Sequence, residues 1–236
     1  MPVARAAKRL RPAVPALPGS TRRAQYSAAT RRTLVDVATE LFTEQGYAAT
    51  SLDSIVAGAE VTKGALYHHF GGKQALFEDV FATVERDAGD RIRASLADAG
   101  GPWDQALVGL RAFLDVVREP AYRRVVVQEG PAVLGHERFR EQERTCQAIV
   151  VDLVAAVLAD ADGVVDQPML ETISDIFFGA MSTAGETVTA SDDPDAASAR
   201  VEAAVAYLVT GLRTMVEAGV PLPSSGAPTT AVTSRS

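Results

Sequence analysis

Residues Val61–Lys73 read VTKGALYHHFGGK. Leu66 and Phe70, four apart, give this stretch one narrow inward side if it is helical. The rest is polar, basic or small: Thr62, Lys63, Gly64, Ala65, Tyr67, His68 and His69, and then the double glycine Gly71-Gly72 stops it. A short helix with so little apolar surface suits a metal site, a catalytic site or a surface that reads a partner. The flanking segments decide between these.

Upstream, Leu34, Val37, Ala38, Leu41 and Phe42 follow the i, i+3, i+4, i+7, i+8 spacing of a buried helical stripe. Ser27 or Thr30 can cap that helix, and Gly46 ends it. Thr50 and Asp53 then stand at capping-box spacing, with Asp in place of the usual Glu. Leu52, Ile55, Val56 and Ala59 form the apolar side of the short helix they open. Ala59-Glu60-Val61 leaves room only for a tight turn, and Thr62 caps a third helix. After Gly71-Gly72 a long helix carries Leu76, Phe77, Val80, Phe81 and Val84 in register and runs to about Leu96. Two short helices joined by a tight turn and braced by a helix before them make a helix-turn-helix. The quoted stretch is its second helix, the one that lies in a DNA major groove.

The residues suit that job one by one. The first turn of such a helix reaches base edges. Lys63 can donate to guanine O6 and N7, Thr62 to a base or phosphate, and Ala65 can touch a thymine methyl group. Gly64 is about 1 kcal/mol worse than alanine inside a helix, which is understandable where a partner comes close to the backbone. Tyr67 and His68 project along the same side towards phosphates. Lys73 opens a helix, where the dipole disfavours a cation, and a bound phosphate would reverse that sign. His68 and His69 are neighbours, about 100° apart on a helix, so they cannot grip one metal as an i, i+4 pair can. His69 is expected to pack beside Leu66 and Phe70. Neither a metal nor a cofactor is expected, nor is a catalytic site, since no nucleophile or acidic orienter stands near the histidines.

The charge distribution agrees. The net charge is −7 overall, but residues 1–75 hold ten Lys/Arg against five Asp/Glu, and residues 76–236 hold thirteen against twenty-five. A basic head on an acidic body points to a polyanion at one end. The opening MPVARAAKRLRPAVPALPGSTRRAQ has six basic residues and no acidic one. Its four prolines oppose the amphipathic helix of a transit peptide. Residues 1–26 are therefore expected to be a disordered basic arm, with Arg22 and Arg23 able to enter a neighbouring minor groove. Residues 220–236, rich in Pro, Ser and Thr, are expected to be a disordered tail. The single cysteine, Cys146, excludes an intrachain disulfide and fits a reducing, cytoplasmic setting. No apolar run approaches the roughly 18 residues of a membrane span.

ATSLDSIVAGAEVTKGALYHHFGGKQALF, with the preceding TRRTLVDVATELFTEQGYAAT, resembles the DNA-binding segment of TetR-type transcriptional regulators over roughly residues 30–78. The resemblance makes Lys63, Gly64 and Ala65 candidates for base contact. It makes Thr50, Ser51, Thr62, Tyr67, His68 and Lys73 phosphate or mixed contacts, and Arg31 and Arg32 further phosphate contacts. Two departures stand out. Glu60 occupies a turn position where the family commonly has glycine, and Val56 one where it often has a small alanine. A left-handed backbone at Glu60 costs about 1 kcal/mol, and the two motif helices are expected to pack slightly wider at Val56.

Beyond the head, helices are expected near Trp103–Arg118, Ala121–Leu134, Glu137–Asp160, Met169–Val188 and Ala196–Ala218, with Gly, Pro and Asp in the turns between them. The fold class is thus all-α, with about nine helices. A helix-turn-helix DNA-binding domain (27–72) precedes a ligand-binding and dimerisation domain (73–219). The last two helices carry apolar stripes interleaved with small residues: Met169, Ile173, Ile176, Phe177, Ala180 and Ala184 on one, Val201, Ala204, Val205, Leu208, Leu212 and Met215 on the other. The family resemblance implies that they pair with the same two helices of a second chain. It also implies a small-molecule pocket in the body, for which Trp103, Phe113, Tyr122, Phe139, Cys146, Phe177 and Met181 are candidates, each also suited to plain core. Their apolar character suits an apolar or aromatic effector.

The expected function is a non-enzymatic, sequence-specific regulator, presumed from the family to be a repressor, that binds a palindromic double-stranded operator as a homodimer and is released by an effector. The rivals are a structural DNA protein without sequence preference and a small-molecule enzyme in a helical bundle. The second is disfavoured because the body's only histidine is His136, in an expected turn, without paired carboxylates.

Overall fold

A computed structural model describes residues 18–142, 144–160 and 165–220. The basic N-terminal residues 1–17 and the tail from 221 lie outside the described residues. Among those described there is no strand. The order is α1 (Pro18–Ala49), α2 (Leu52–Gly58), α3 (Lys63–His69), α4 (Lys73–Leu96) and α5 (Pro102–Arg118), then a π-helical segment π1 (Tyr122–Glu129). There follow α6 (Gly130–Leu134), α7 (His136–Gln142), α8 (Arg144–Asp160), α9 (Gln167–Thr189) and α10 (Pro194–Glu217).

Residues 18–26, expected to belong to a disordered arm, are helical and extend α1. Pro18 is the first helical residue, where its fixed φ is tolerated, and no proline follows it to break the helix. Ser27 and Thr30 are therefore inside α1 rather than capping it. The helical path breaks at Gly46, whose φ is 80°, a left-handed conformation that glycine adopts at little strain.

Leu34, Ala38 and Phe42 of α1, Ile55 of α2, Leu66 of α3 and Phe77 of α4 are fully buried. Phe42, Tyr47 and Phe77 form an aromatic cluster with ring centroids 5.2–5.7 Å apart, and such pairs add about 0.5–1.5 kcal/mol each beyond area burial. Along α4, Val80, Phe81, Val84, Ala88 and Ile92 continue the buried stripe into the body. One hydrophobic cluster therefore runs from Leu34 through α4 to Leu110, Leu114, Ile149 and Val188. Head and body are joined by a shared core rather than by a linker.

The body differs from the sequence expectation in its middle. The segment expected as one helix from Ala121 to Leu134 is π1 followed by α6, with the wider turn turning Tyr122, Val125 and Val126 inward. The apolar run Val125-Val126-Val127 hid this change of winding, because it supplies inward residues for either period. Helical residues His136–Gln142 and Arg144–Asp160 stand on either side of residue 143, which lies outside the described residues. His136, expected in a turn, opens α7. α9 and α10 each start two residues before the expected Met169 and Ala196, and an aspartate caps each. Asp166 accepts from the Met169 N–H at 3.0 Å, and Asp193 accepts from the Ala196 N–H at 3.0 Å.

Candidate nucleic-acid interface and body cavity

α2 is capped one residue later than the spacing suggested. Ser51 Oγ accepts from the Ser54 N–H at 3.0 Å, and Ser54 Oγ accepts from the Ser51 N–H at 3.2 Å. This is a reciprocal capping box. Thr50 cannot serve in it, because its hydroxyl turns inward and donates to the carbonyl of Gly46 at 2.8 Å. The side chain of Thr50 is buried, so its expected phosphate contact does not hold. Ser51 is exposed at the start of α2, as that role requires.

The turn between α2 and α3 closes with two bonds. The Glu60 N–H donates to the Ala57 carbonyl and the Val61 N–H to the Val56 carbonyl, each at 3.2 Å. This is a Schellman closure, which places its C′ residue in the left-handed region. Glu60 occupies that position with φ of 53°. The strain foreseen there is present. α1 and α2 approach closely: a Cβ at Gly58 would stand 2.8 Å from Val37 Cγ1.

In α3, Thr62 Oγ1 accepts from the Ala65 N–H at 3.2 Å. Leu66 and Phe70 point inward, while Thr62, Lys63, Gly64, Tyr67 and His68 are exposed and Ala65 is half-buried. Tyr67 is 59% exposed. The nearest atom to a Cβ built at Gly64 would be Thr62 Oγ1 at 3.8 Å. Packing within the chain therefore gives no reason for a glycine there. His69 is half-buried between His68 and Phe70, with ring centroids 5.2 and 6.3 Å away. Burial holds its pKa below the ordinary value, helped by His68 and Arg31.

Three of the cationic candidates are engaged inside the chain. Lys63 pairs with Asp53 of α2 at 2.6 Å, and that hydrogen bond and charge hold its pKa up. Arg31 pairs with Asp79 and stacks 5.3 Å over the Phe70 ring, bracing α1 against α3 and α4. Lys73 departs furthest from its expected role. Its Nζ donates to the carbonyls of Tyr47 at 2.6 Å, Thr50 at 2.7 Å and Ala48 at 3.4 Å, and sits 4.3 Å over the Tyr47 ring. Three acceptors match its three donors. Lys73 caps the C-terminal end of α1, where a cation is favoured, and is not free for a phosphate. Arg32 and Arg23 are exposed on α1, and the side chain of Arg22 lies outside the described residues.

In the body, the seven residues singled out from the sequence all line two adjoining cavities. The larger, about 120 Å³, lies among α5, α8, α9 and α10, and includes Trp103, Phe113, Cys146, Phe177 and Met181. The smaller, about 60 Å³, includes Tyr122 and Phe139. Phe113, Cys146, Phe178 and Met181 border both. The sequence reading missed Glu85, which also borders the smaller cavity. Its signal was available: Glu85 continues the i, i+4 series of Phe77 and Phe81, so it falls on the buried stripe of α4. The Tyr122 hydroxyl donates to Glu85 Oε1 at 3.2 Å. Burial pushes the Glu85 carboxyl up, against the opposing hydrogen bonds of Cys146 and Tyr122. Burial first, and the Glu85 charge second, push the Tyr122 phenol well up.

Among the described residues no cluster of His, Cys, Asp and Glu could hold a metal, and no helix is long and apolar enough to cross a membrane.

Residues 34–80 match the family model "Bacterial regulatory proteins, tetR family". Residues 103–212 match "Tetracyclin repressor-like, C-terminal domain". The crystal structure of a TetR-family transcriptional regulator from Pectobacterium atrosepticum is similar to this chain. It is 30% identical, with a TM-score of 0.69, over 80% of this chain and 96% of that one. The chain belongs to the TetR family. Curated relatives in the family match over shorter spans. The HTH-type transcriptional regulator AcrR of Shigella flexneri is 41% identical over 66 residues, 28% of this chain and 31% of its own. The HTH-type transcriptional repressor DhaR of Mycobacterium sp. (strain GP1) is 38% identical over 72 residues, 30% of this chain and 36% of its own. The chain thus spans about a third of the length of these curated relatives.

Proposed function

We propose that this TetR-family chain is a cytoplasmic transcriptional regulator that reads a palindromic operator as a homodimer and is released when a small molecule occupies the body cavities. The observation that carries the reading is the outer face of α3. Lys63, Tyr67 and His68 stand exposed around Gly64, at which nothing in the chain fills the space of a side chain. A base edge or a phosphate is the partner such a face fits. Lys63, Gly64 and Ala65 are the base-reading set. Ser51, Thr62, Tyr67, His68 and Arg32 hold phosphates.

Dimerisation is supported by an apolar face on α9 and α10 that no described residue covers. Ile176 is 66% exposed, Leu208 64% and Met215 52%. Gly179 and Gly211 have nothing within 4 Å of a built Cβ, so a facing helix can come close. A twofold pair would place two copies of α3 against one palindrome. In the dimer, effector binding and DNA binding oppose each other by population shift, and linkage makes the effect equal in both directions. Repression is the sign favoured by the relative named a repressor.

The test is sedimentation of the full chain together with competition between a selected duplex and a scrambled one. A dimer that prefers its selected duplex by about a thousand-fold supports the reading. Equal affinity for both duplexes with a steep salt dependence would favour the structural DNA protein instead.

A further inference from the structure

The two cavities are unequal in chemistry. The larger is walled almost wholly by carbon, with the indole of Trp103 and the ring of Phe177 among its lining. The smaller ends on a carboxyl. Glu85 is 2% exposed, and its Oε2 is buried with no partner in hydrogen-bond geometry. A buried acceptor left unpaired is costly unless something supplies a donor.

The surroundings fix the sign of that donor's charge. The Tyr122 hydroxyl donates to Oε1, and the thiol and backbone of Cys146 also hydrogen-bond the carboxyl. All three contacts favour the ionised form, so the carboxyl is organised as an acceptor. Glu186, an exposed residue of α9, borders the same cavity, and among the described residues no Lys, Arg or His lines either cavity. An anion entering this space would meet the buried Glu85 carboxyl and, among the described lining residues, no countercharge. A cation would find a desolvated carboxylate whose charge is otherwise unmatched, the arrangement in which an ion pair is strongest.

We propose that the effector is a cationic amphiphile, an apolar or aromatic body carrying a protonated nitrogen, with the nitrogen on Glu85 Oε2 and the body in the carbon-walled cavity. This rests on the reading of the cavities as the effector site and adds the chemical class of the effector. Phe113, Cys146, Phe178 and Met181, shared by both cavities, form the neck between the two ends. Burial raises the Glu85 pKa in the empty site, and an ammonium group on Oε2 would lower it again.

The test uses three matched probes on the full chain: 3-phenylpropylamine, 3-phenylpropanol and 3-phenylpropanoic acid. Trp103 is the chain's single tryptophan and lines the larger cavity, so its fluorescence reports occupancy directly, with calorimetry as the second readout. The amine is expected to bind at least about ten-fold more tightly than the acid, with the alcohol between them. Glu85→Gln is expected to remove the preference for the amine while leaving the alcohol within about two-fold. If Glu85→Gln fails to fold, the wild-type order of the three probes still decides, and Tyr122→Phe, which strips the carboxyl of one organising donor, is expected to narrow the gap between amine and acid. Acid binding equal to or tighter than amine binding overturns the cation proposal and leaves the cavity reading intact. Failure of all three to bind overturns both.

Discussion

Glu129 accepts a hydrogen bond from the backbone N–H of Tyr47 at 2.8 Å, tying the body's π1 segment to the residue that follows the kink at Gly46. Arg124 pairs with the same carboxylate at 3.2 Å. A side chain at Gly46 would fall on both groups, so the left-handed glycine both permits the kink and leaves space for the tether. The reading head is thereby held to the body at a second place besides α4.

Gly46→Ala is expected to destabilise the fold by about 1–3 kcal/mol, from a strained φ and a clash together. Glu129→Ala should remove about 1–2 kcal/mol by stranding the Tyr47 N–H, and Glu129→Gln, which keeps an acceptor, should do less harm. Urea midpoints measured at unchanged m-value check the order. If Glu129→Ala matches wild type, the tether does not hold the head.

Glu60→Gly relieves the left-handed strain in the α2–α3 turn and is expected to stabilise the chain by about 0.5–1 kcal/mol after the loss of glycine's extra unfolded-state freedom is counted. Thermal unfolding resolves a change of that size. A lower melting temperature would mean that the glutamate side chain contributes more than its backbone costs.

Lys73→Met keeps the stem and removes the ammonium that caps α1. Stability should fall by about 1.5–3 kcal/mol, since charge-assisted bonds to three carbonyls are lost. The salt slope of operator binding should stay as it is, whereas losing a phosphate contact lowers that slope by about one. A lowered slope without loss of stability would restore the phosphate role.

The raised pKa of Glu85 fixes the sign of a pH effect. Above the unfolded value of 4.5 the unfolded chain releases its proton first, so the folded chain binds more protons. Stability therefore falls as pH rises from there to the folded pKa, and remains lower beyond it. Tyr122 and Cys146 face the carboxyl and limit the shift. In urea titrations from about pH 4.5 to 8, Glu85→Gln should lack this component and give the flatter profile. Superimposable profiles would show that burial does not raise the Glu85 pKa in the folded chain.

What the sequence disclosed follows a physical division. Leu34, Ala38 and Phe42 announced their burial because helical spacing alone puts them on one side. That reading needs only neighbours within four residues. Lys73 could not be read the same way. Its position at a helix start was plain, but the carbonyls of Tyr47, Ala48 and Thr50 that occupy it come from the end of another helix. Thr50 was misassigned for a different reason: its partner, the Gly46 carbonyl, is only four residues back, but spacing does not say which way the hydroxyl turns. Of the reading face, Lys63, Gly64, Tyr67 and His68 were legible because exposure on a short helix follows from where Leu66 and Phe70 must point. The Asp53 partner of Lys63 was not, since it depends on the packing of α2 against α3. In the body, the aromatic lining was legible as apolar positions, while Glu85 needed its stripe to be followed eight residues past Phe77.

The central claim is that α3 reads sequence. Selection of bound duplexes from a random pool by the full chain, with Lys63→Ala selected in parallel, tests it most directly. The account predicts a palindromic motif for the wild type, lost or relaxed in the variant at the position Lys63 contacts. Enrichment of no motif by the wild type, or of the same motif by both, would contradict it.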